Sequence, residues 1–333
     1  MSRRILYTFL CLSVTLLLTV SGCGSSGGSG SEDESPPLSG ISVEASTDSG
    51  SDQSSKSASD KQWDNTPKVL TPSAPGTTML GNDSILIDVS NMTEGYICAS
   101  YRGYSDKVKF FVVTPDQTRY TYDLAASEEW SVLPLTGGDG TYTFDVREHV
   151  EEDLYSNLYA TESAVTLKDE FCPFLYPNQF TKFNADTKAV AKASELAADA
   201  GTGLDVVGNI YDYVIKNVTY DSEKAETVQS GYLPDVDETL SSGTGICFDY
   251  AALMTAMLRS QGIPTKLEIG YSGDVYHAWI STWLEETGWI DNVIQFDGKG
   301  WSLMDPTLAA SNDPKAVKKY VGDGTHYTLK YSR

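Results

Sequence analysis

The sequence predicts a mixed α+β protein, with a β-sandwich in the first half of the chain and helices joined to further strands in the second. Two observations carry this. Between Met79 and Asp169 lie about seven short runs rich in Val, Ile, Tyr, Phe and Thr, separated by turn residues. Beyond residue 188 the apolar residues instead recur at steps of three and four.

The N-terminus reads as a targeting segment. Arg3 and Arg4 precede an uncharged apolar run from Ile5 to Val20, and Val20-Ser21-Gly22 supplies small residues just before Cys23. This arrangement resembles the lipobox of bacterial lipoproteins, which implies a signal peptide over 1–23 and a palmitate-type lipid on Cys23. The mature protein would then be extracytoplasmic and lipid-anchored to the bacterial cell membrane. Residues 24–73 are dominated by Ser, Gly, Asp and Lys. They offer too little apolar surface to offset the entropy of ordering, so they read as a disordered tether. As a Gly/Ser coil this tether spans roughly 35–40 Å. The formal net charge of -22 excludes nucleic acid as a partner, because phosphate binding needs clustered Lys and Arg.

Residues 74–170 form the predicted sandwich. Its strands are Ser84–Val89, Tyr96–Tyr101, Lys107–Thr114, Arg119–Leu124, Trp130–Leu135, Tyr142–Val146 and Tyr159–Leu167. Asn82-Asp83, Pro115-Asp116 and the glycine-rich run 137–140 mark turns between them. The segment Gly140-Thr141-Tyr142-Thr143-Phe144 resembles the tyrosine-corner strand of immunoglobulin-like domains. His149 has no chemical partner at a telling distance and reads as a surface residue at a strand end.

A connector over 171–187, with Pro173 and Pro177, leads into a second domain over 188–333. Val207, Ile210, Tyr211, Val214 and Ile215 share one helical face. A polar loop with Gly231 and Pro234 follows. From Cys247 to Gln261 the chain reads as a helix with Tyr250, Met254, Met257 and Leu258 on one face, stopped by Gly262 and Pro264. Strands are expected at Lys266–Tyr271, His277–Trp283, Trp289–Ile294 and Trp301–Met304.

Removing Cys11 with the leader and acylating Cys23 leaves Cys98, Cys172 and Cys247. An odd number in an oxidising compartment leaves at least one thiol unpaired. Cys98 and Cys172 could form a disulfide, or all three could be free. Cys247 stands after a glycine-rich turn at a helix start, where unpaired N–H groups and the helix dipole favour a thiolate and can bind an oxyanion. His277, thirty residues on at the opening of a strand, could shuttle the proton. Asp305, a further twenty-eight residues on at the end of another, could orient the imidazole.

Four motifs occur in order: Gly245-Ile246-Cys247-Phe248-Asp249-Tyr250-Ala251-Ala252-Leu253, Gly262-Ile263-Pro264, His277-Ala278-Trp279 and Asp305-Pro306-Thr307. Together they resemble the core of the transglutaminase-like superfamily over about residues 188–310. The resemblance implies a papain-like α+β fold in which Cys247 is the nucleophile, His277 the acid and base, and Asp305 the orienting carboxylate. Asp291 in Trp289-Ile290-Asp291 is a rival for the last role, although the run from Trp301 to Thr307 matches the motif more fully. Val218-Thr219-Tyr220-Asp221 is similar to a segment upstream of the cysteine in related bacterial proteins, which makes Tyr220 a candidate oxyanion donor. Trp279, Trp283, Trp289 and Trp301 either wall a substrate groove or pack between sheet and helices.

The expected activity is acyl transfer on amide bonds of protein or peptide substrates, cell-wall peptides among them, through a thioester. A cysteine peptidase or amidase with the same three residues is the first alternative, and a non-catalytic binding module the second. The sequence holds no metal-ligand cluster, phosphate loop or dinucleotide fingerprint, so neither metal nor cofactor is expected.

Overall fold

Apolar alternation builds the first core. In the computed structural model, which describes residues 62–272, 274–285, 287–290, 294–296, 301–303 and 327–333, two four-stranded antiparallel sheets contribute to it. One contains β1 (Met79–Gly81), β2 (Ile85–Asp88), β3 (Tyr96–Tyr101) and β6 (Ser131–Pro134), in the order β1-β2-β3-β6. The other contains β4 (Val108–Val113), β5 (Arg119–Leu124), β7 (Gly140–Glu151) and β8 (Leu154–Val165), in the order β5-β4-β7-β8. Val108, Phe110 and Val112 of β4 and Tyr120, Tyr122 and Leu124 of β5 are buried while the residues between them are more exposed, as a half-buried strand requires. They meet Ile85, Ile87, Ile97 and Tyr101 of the first sheet in one cluster. Buried Tyr142 donates its hydroxyl to the Gly138 carbonyl at 2.9 Å. His149 sits near the end of β7, with Nε2 2.8 Å from the Glu152 carbonyl oxygen across the β7–β8 turn.

The second core is wound around one helix. α1 (Lys188–Leu196), α2 (Gly203–Asn217), α3 (Ser222–Thr227) and α4 (Val236–Ser242) precede α5 (Cys247–Ser260). The short parallel pair β9 (Thr219–Tyr220) and β10 (Thr244–Gly245) brackets α3 and α4. β11 (Thr265–Ser272), β12 (Val275–Leu284), β13 (Gly288–Ile290) and β16 (Tyr327–Ser332) form an antiparallel sheet ordered β13-β12-β11-β16, and β14 (Ile294–Phe296) pairs with β15 (Trp301–Leu303). α2 starts with a capping box in which Thr202 and Asp205 exchange hydrogen bonds, and it buries Val206, Val207, Ile210, Tyr211 and Val214.

The structure changes several expectations. α5 is not one-faced: every residue from Asp249 to Ser260 is buried, with Ala251, Ala252 and Ala256 letting α1, α2, α4 and the sheet approach from all sides. The segment read as a polar loop contains α3 and α4, started by Asp221, which accepts from Lys224 N at 2.8 Å, and by Asp235, which accepts from Asp237 N and Glu238 N. The part of the predicted tether over residues 62–73 is packed. Trp63 N donates to Ala200 O at 2.8 Å, Asn65 and Ser194 exchange hydrogen bonds, Lys68 N donates to Ser260 O at 2.7 Å, and Ser73 N donates to the Tyr96 hydroxyl at 3.1 Å. Trp63 and Val69 are the apolar residues that make this possible, since both pack on the second core. Cys98 and Cys172 are free thiols, the first donating to Ser73 O and the second to an Asp169 carboxylate oxygen, so the disulfide considered for them is not formed.

Within the expected connector, Phe180 joins the first core and Phe183 the second. Phe180 also packs on Phe248 of α5 at 6.3 Å, and Tyr120 of β5 packs on Tyr331 of β16 at 5.4 Å. Among the described residues no helix is long and apolar enough to cross a membrane.

Candidate active site

Cys247 is the first residue of α5 and is partly exposed. The chain reaches it through a set of local constraints. Gly243 ends α4 in the left-handed conformation at φ 65°, its N–H bonded to Thr239 O, as a helix C-cap requires. A Cβ there would also lie 2.9 Å from the Asn217 carbonyl oxygen. Gly245 then pairs with Tyr220, and its carbonyl accepts from Asp221 N at 2.9 Å. Asp249, at the third position of α5, reaches back to accept from Ile246 N at 2.8 Å, so one free donor of the helix start is satisfied from within the helix. Tyr250 anchors the same turn by donating to Val218 O at 2.6 Å.

α5 runs into β11 through a tight turn at Gln261–Gly262, so the two are antiparallel and packed together. The first turn of α5 therefore lies at the end of the sheet where β11 closes and β12 opens. His277 is at that end, as the third residue of β12 rather than its first, and is 8 % exposed. Ala278 and Ile280 pack with α5 in the second core. Strand alternation thus puts His277 on the opposite face, with Gly270, its cross-strand partner, and Trp279, whose ring centre is 6.5 Å away. The preceding residue, Tyr276, is partly desolvated although 57 % exposed. Burial raises its phenol pKa, Arg333 opposes, and the charges of Tyr331, Tyr271 and Cys247 add to the rise.

Tyr220 is half-buried beside Gly245 and packs on the same core as Cys247, so the candidate oxyanion donor stands in the cysteine's neighbourhood. Asp305 and its rival Asp291 lie outside the described residues, as does Cys23. Trp279 is buried against Tyr327 at 4.9 Å, Trp283 packs on Phe171 at 4.3 Å, and Trp289 lies between Phe174 and the Lys266 ammonium. All three make packing contacts, and Trp289 also lines a cavity with Phe174, Lys266 and Glu268. The side chain of Trp301 is outside the described part. Among the described residues no cluster of His, Cys, Asp or Glu is arranged to hold a metal.

Sequence reasoning passed over one group at this site. Asp249 also accepts from the Lys224 ammonium at 2.8 Å and from the Tyr232 hydroxyl. An acid at the third position of a helix is a legible signal for a reach back to the cap. Nothing in the sequence marked Lys224 or Tyr232.

A half-exposed thiol at a helix tip against an antiparallel sheet defines a class of thiol-bearing α+β proteins, and the comparisons narrow it. Residues 190–306 match the model of the transglutaminase-like superfamily, so the chain carries a transglutaminase-like domain. The UPF0252 protein of Methanocaldococcus jannaschii is 26% identical over 243 residues, covering 67% of this chain and 68% of that protein. YebA of Bacillus subtilis is 28% identical over 118 residues, which is 29% of this chain and 16% of that protein. A solved structure of a proposed cysteine protease from Cytophaga hutchinsonii is 16% identical, with a TM-score of 0.36 over 77% of this chain and 84% of that one. Red sea bream transglutaminase is 13% identical, with a TM-score of 0.27 over 66% of this chain and 49% of that one.

Proposed function

We propose that the protein is a surface-anchored thiol acyltransferase acting on amide bonds of protein or peptide substrates. The observation that carries this reading is the partly exposed thiol of Cys247 at the first position of α5, inside the transglutaminase-like region. In the proposed reaction the Cys247 thiolate attacks the amide carbonyl carbon, and N–H groups of the helix start hold the oxyanion. The tetrahedral intermediate collapses by breaking the carbon–nitrogen bond, and the amine leaves with a proton from the His277 imidazolium. An amine or water then attacks the thioester, His277 takes its proton, and the thiolate is released. Asp305 fixes the imidazole tautomer and offsets its charge. No cofactor enters any step.

Two further expectations belong to the same reading. Arg3, Arg4, the apolar run Ile5–Val20 and Cys23 support lipid anchoring outside the cytoplasm, with cell-wall peptides within reach. The Tyr142 to Gly138 hydrogen bond supports an immunoglobulin-like sandwich for the first two sheets.

Covalent labelling by a thiol-reactive amide analogue tests the core claim. Wild type should label at Cys247 and Cys247→Ala should not; full labelling of the variant would remove the assignment. Supplying a labelled primary amine separates the two fates of the thioester. Incorporation marks a transferase, and amide cleavage without incorporation marks a hydrolase.

A further inference from the structure

Asp249 is fully buried two residues beyond Cys247, and three donors converge on its carboxylate: Ile246 N, Lys224 Nζ and Tyr232 Oη. Lys224 also donates to the Tyr232 oxygen at 2.7 Å, and its ammonium lies 4.6 Å from the Tyr232 ring centre. Tyr232 in turn meets Phe248, the second residue of α5, edge to face. Because Asp249 reaches back to Ile246, its carboxylate sits at the helix tip, in the same turn as the sulfur.

A buried carboxylate there opposes a thiolate and cancels much of what the helix terminus offers. The ammonium of Lys224 offsets it. Other titratable and charged groups come to this end from each neighbouring element: Tyr220 and Asp221 from the β9 segment, Tyr271, Tyr276 and His277 from β11 and β12, and Tyr331 and Arg333 from the C-terminal strand region. Lys224 is the cation that the structure joins directly to Asp249.

We infer that Lys224 is a positioning residue for Cys247: it neutralises Asp249 and pins the α3–α4 segment to the first turn of α5, so that no unpaired carboxylate faces the sulfur at the helix tip. This rests on the reading of Cys247 as the nucleophile, but it is measured on the sulfur itself. The rate of iodoacetamide alkylation of Cys247 in the full chain, followed by mass spectrometry of its peptide, is recorded against pH. Lys224→Gln keeps a donor but removes the charge. It should move the alkylation midpoint up by about one unit, roughly a tenfold loss of rate below the midpoint. Lys224→Arg should keep the wild-type profile, and Lys224→Gln with Asp249→Asn should restore it.

A folded Lys224→Gln protein with an unmoved midpoint overturns the inference, as does a double variant that stays shifted. If Lys224→Gln does not fold, Asp249→Asn alone should lower the midpoint, and no change there overturns it equally. A shifted midpoint in a protein that turns over no amide would keep this inference and remove the acyl-transfer reading.

Discussion

Arg259, fully buried near the end of α5, donates from both Nε and Nη2 to the carbonyl oxygen of Thr265 at the start of β11. Its remaining hydrogen bonds go to Tyr176 O at 2.6 Å and Arg333 O at 2.8 Å, so one guanidinium ties helix, sheet, connector and C-terminal strand together. Burial pushes its pKa down to about 9. Arg259→Leu would leave the Thr265 and Tyr176 carbonyls without this donor, at about 1–2 kcal/mol each, while Arg333 O keeps its bond from Leu267 N. We expect a loss of about 3 kcal/mol in the urea unfolding free energy, and a loss under 1 kcal/mol would mean that the guanidinium is not the tie.

Alkaline pH should weaken the fold through its buried thiols. Burial, with the charge of Asp88 adding, pushes the Cys98 thiol from 9.0 up to about 12. Burial, then the Asp169 contact, pushes Cys172 up to about 11. The folded protein therefore keeps protons that the unfolded chain has already released. That stability is whole below pH 9 and is lost as pH rises toward the folded values, at about 1.4 kcal/mol per unit for each group. Urea midpoints should fall between about pH 8.5 and 10, before the buried tyrosines begin to contribute. The fall should be shallower in Cys98→Ala, and an equal slope in that variant counts against the account.

Gly245 should tolerate no side chain. A Cβ there would stand 2.7 Å from the Asp249 Cβ and 3.1 Å from its Oδ2. Asp249 is enclosed and cannot swing away. Gly245→Ala should cost about 1–3 kcal/mol by thermal unfolding and slow alkylation of Cys247. An unchanged melting temperature would show that this end of α5 yields more easily than its packing implies.

If Tyr220 donates to the oxyanion, Tyr220→Phe should lower kcat by about 10²-fold with little change in KM and none in melting temperature. A drop in stability with kcat intact would assign Tyr220 to packing alone.

Much of the fold could be read from periodicity. The alternation in β4 and β5 carries a strong period of two, and the run from Cys247 to Gln261 is bounded by a glycine-rich turn and by Gly262 and Pro264; the observed elements follow both within a residue or two. What escaped was set by tertiary context. α3 and α4 are six and seven residues long, too short for a period to stand out, and were visible only through their Asp caps. The burial of α5 on all sides depends on alanines whose neighbours are distant in sequence. Residues 62–73 are polar enough to resemble a coil, yet Trp63 and Val69 suffice to dock them.

The site divides in the same way. Cys247 was legible because glycine, cysteine and a helical run leave a local mark. Lys224 was not, because it meets Asp249 from twenty-five residues away.

The route taken by residues 62–69 has a mechanical consequence. The chain crosses the second core at Trp63 and Lys68, then builds the first pair of sheets, and only afterwards returns through Phe180 to make the helices it has already touched. A cut in the connector would therefore leave the two halves still laced together. During synthesis the strap must wait for partners 129 residues or more downstream, so its docking is a late event. A pull on the N-terminal side would load the layer holding Cys247 before it reached the sheets that come first in the chain.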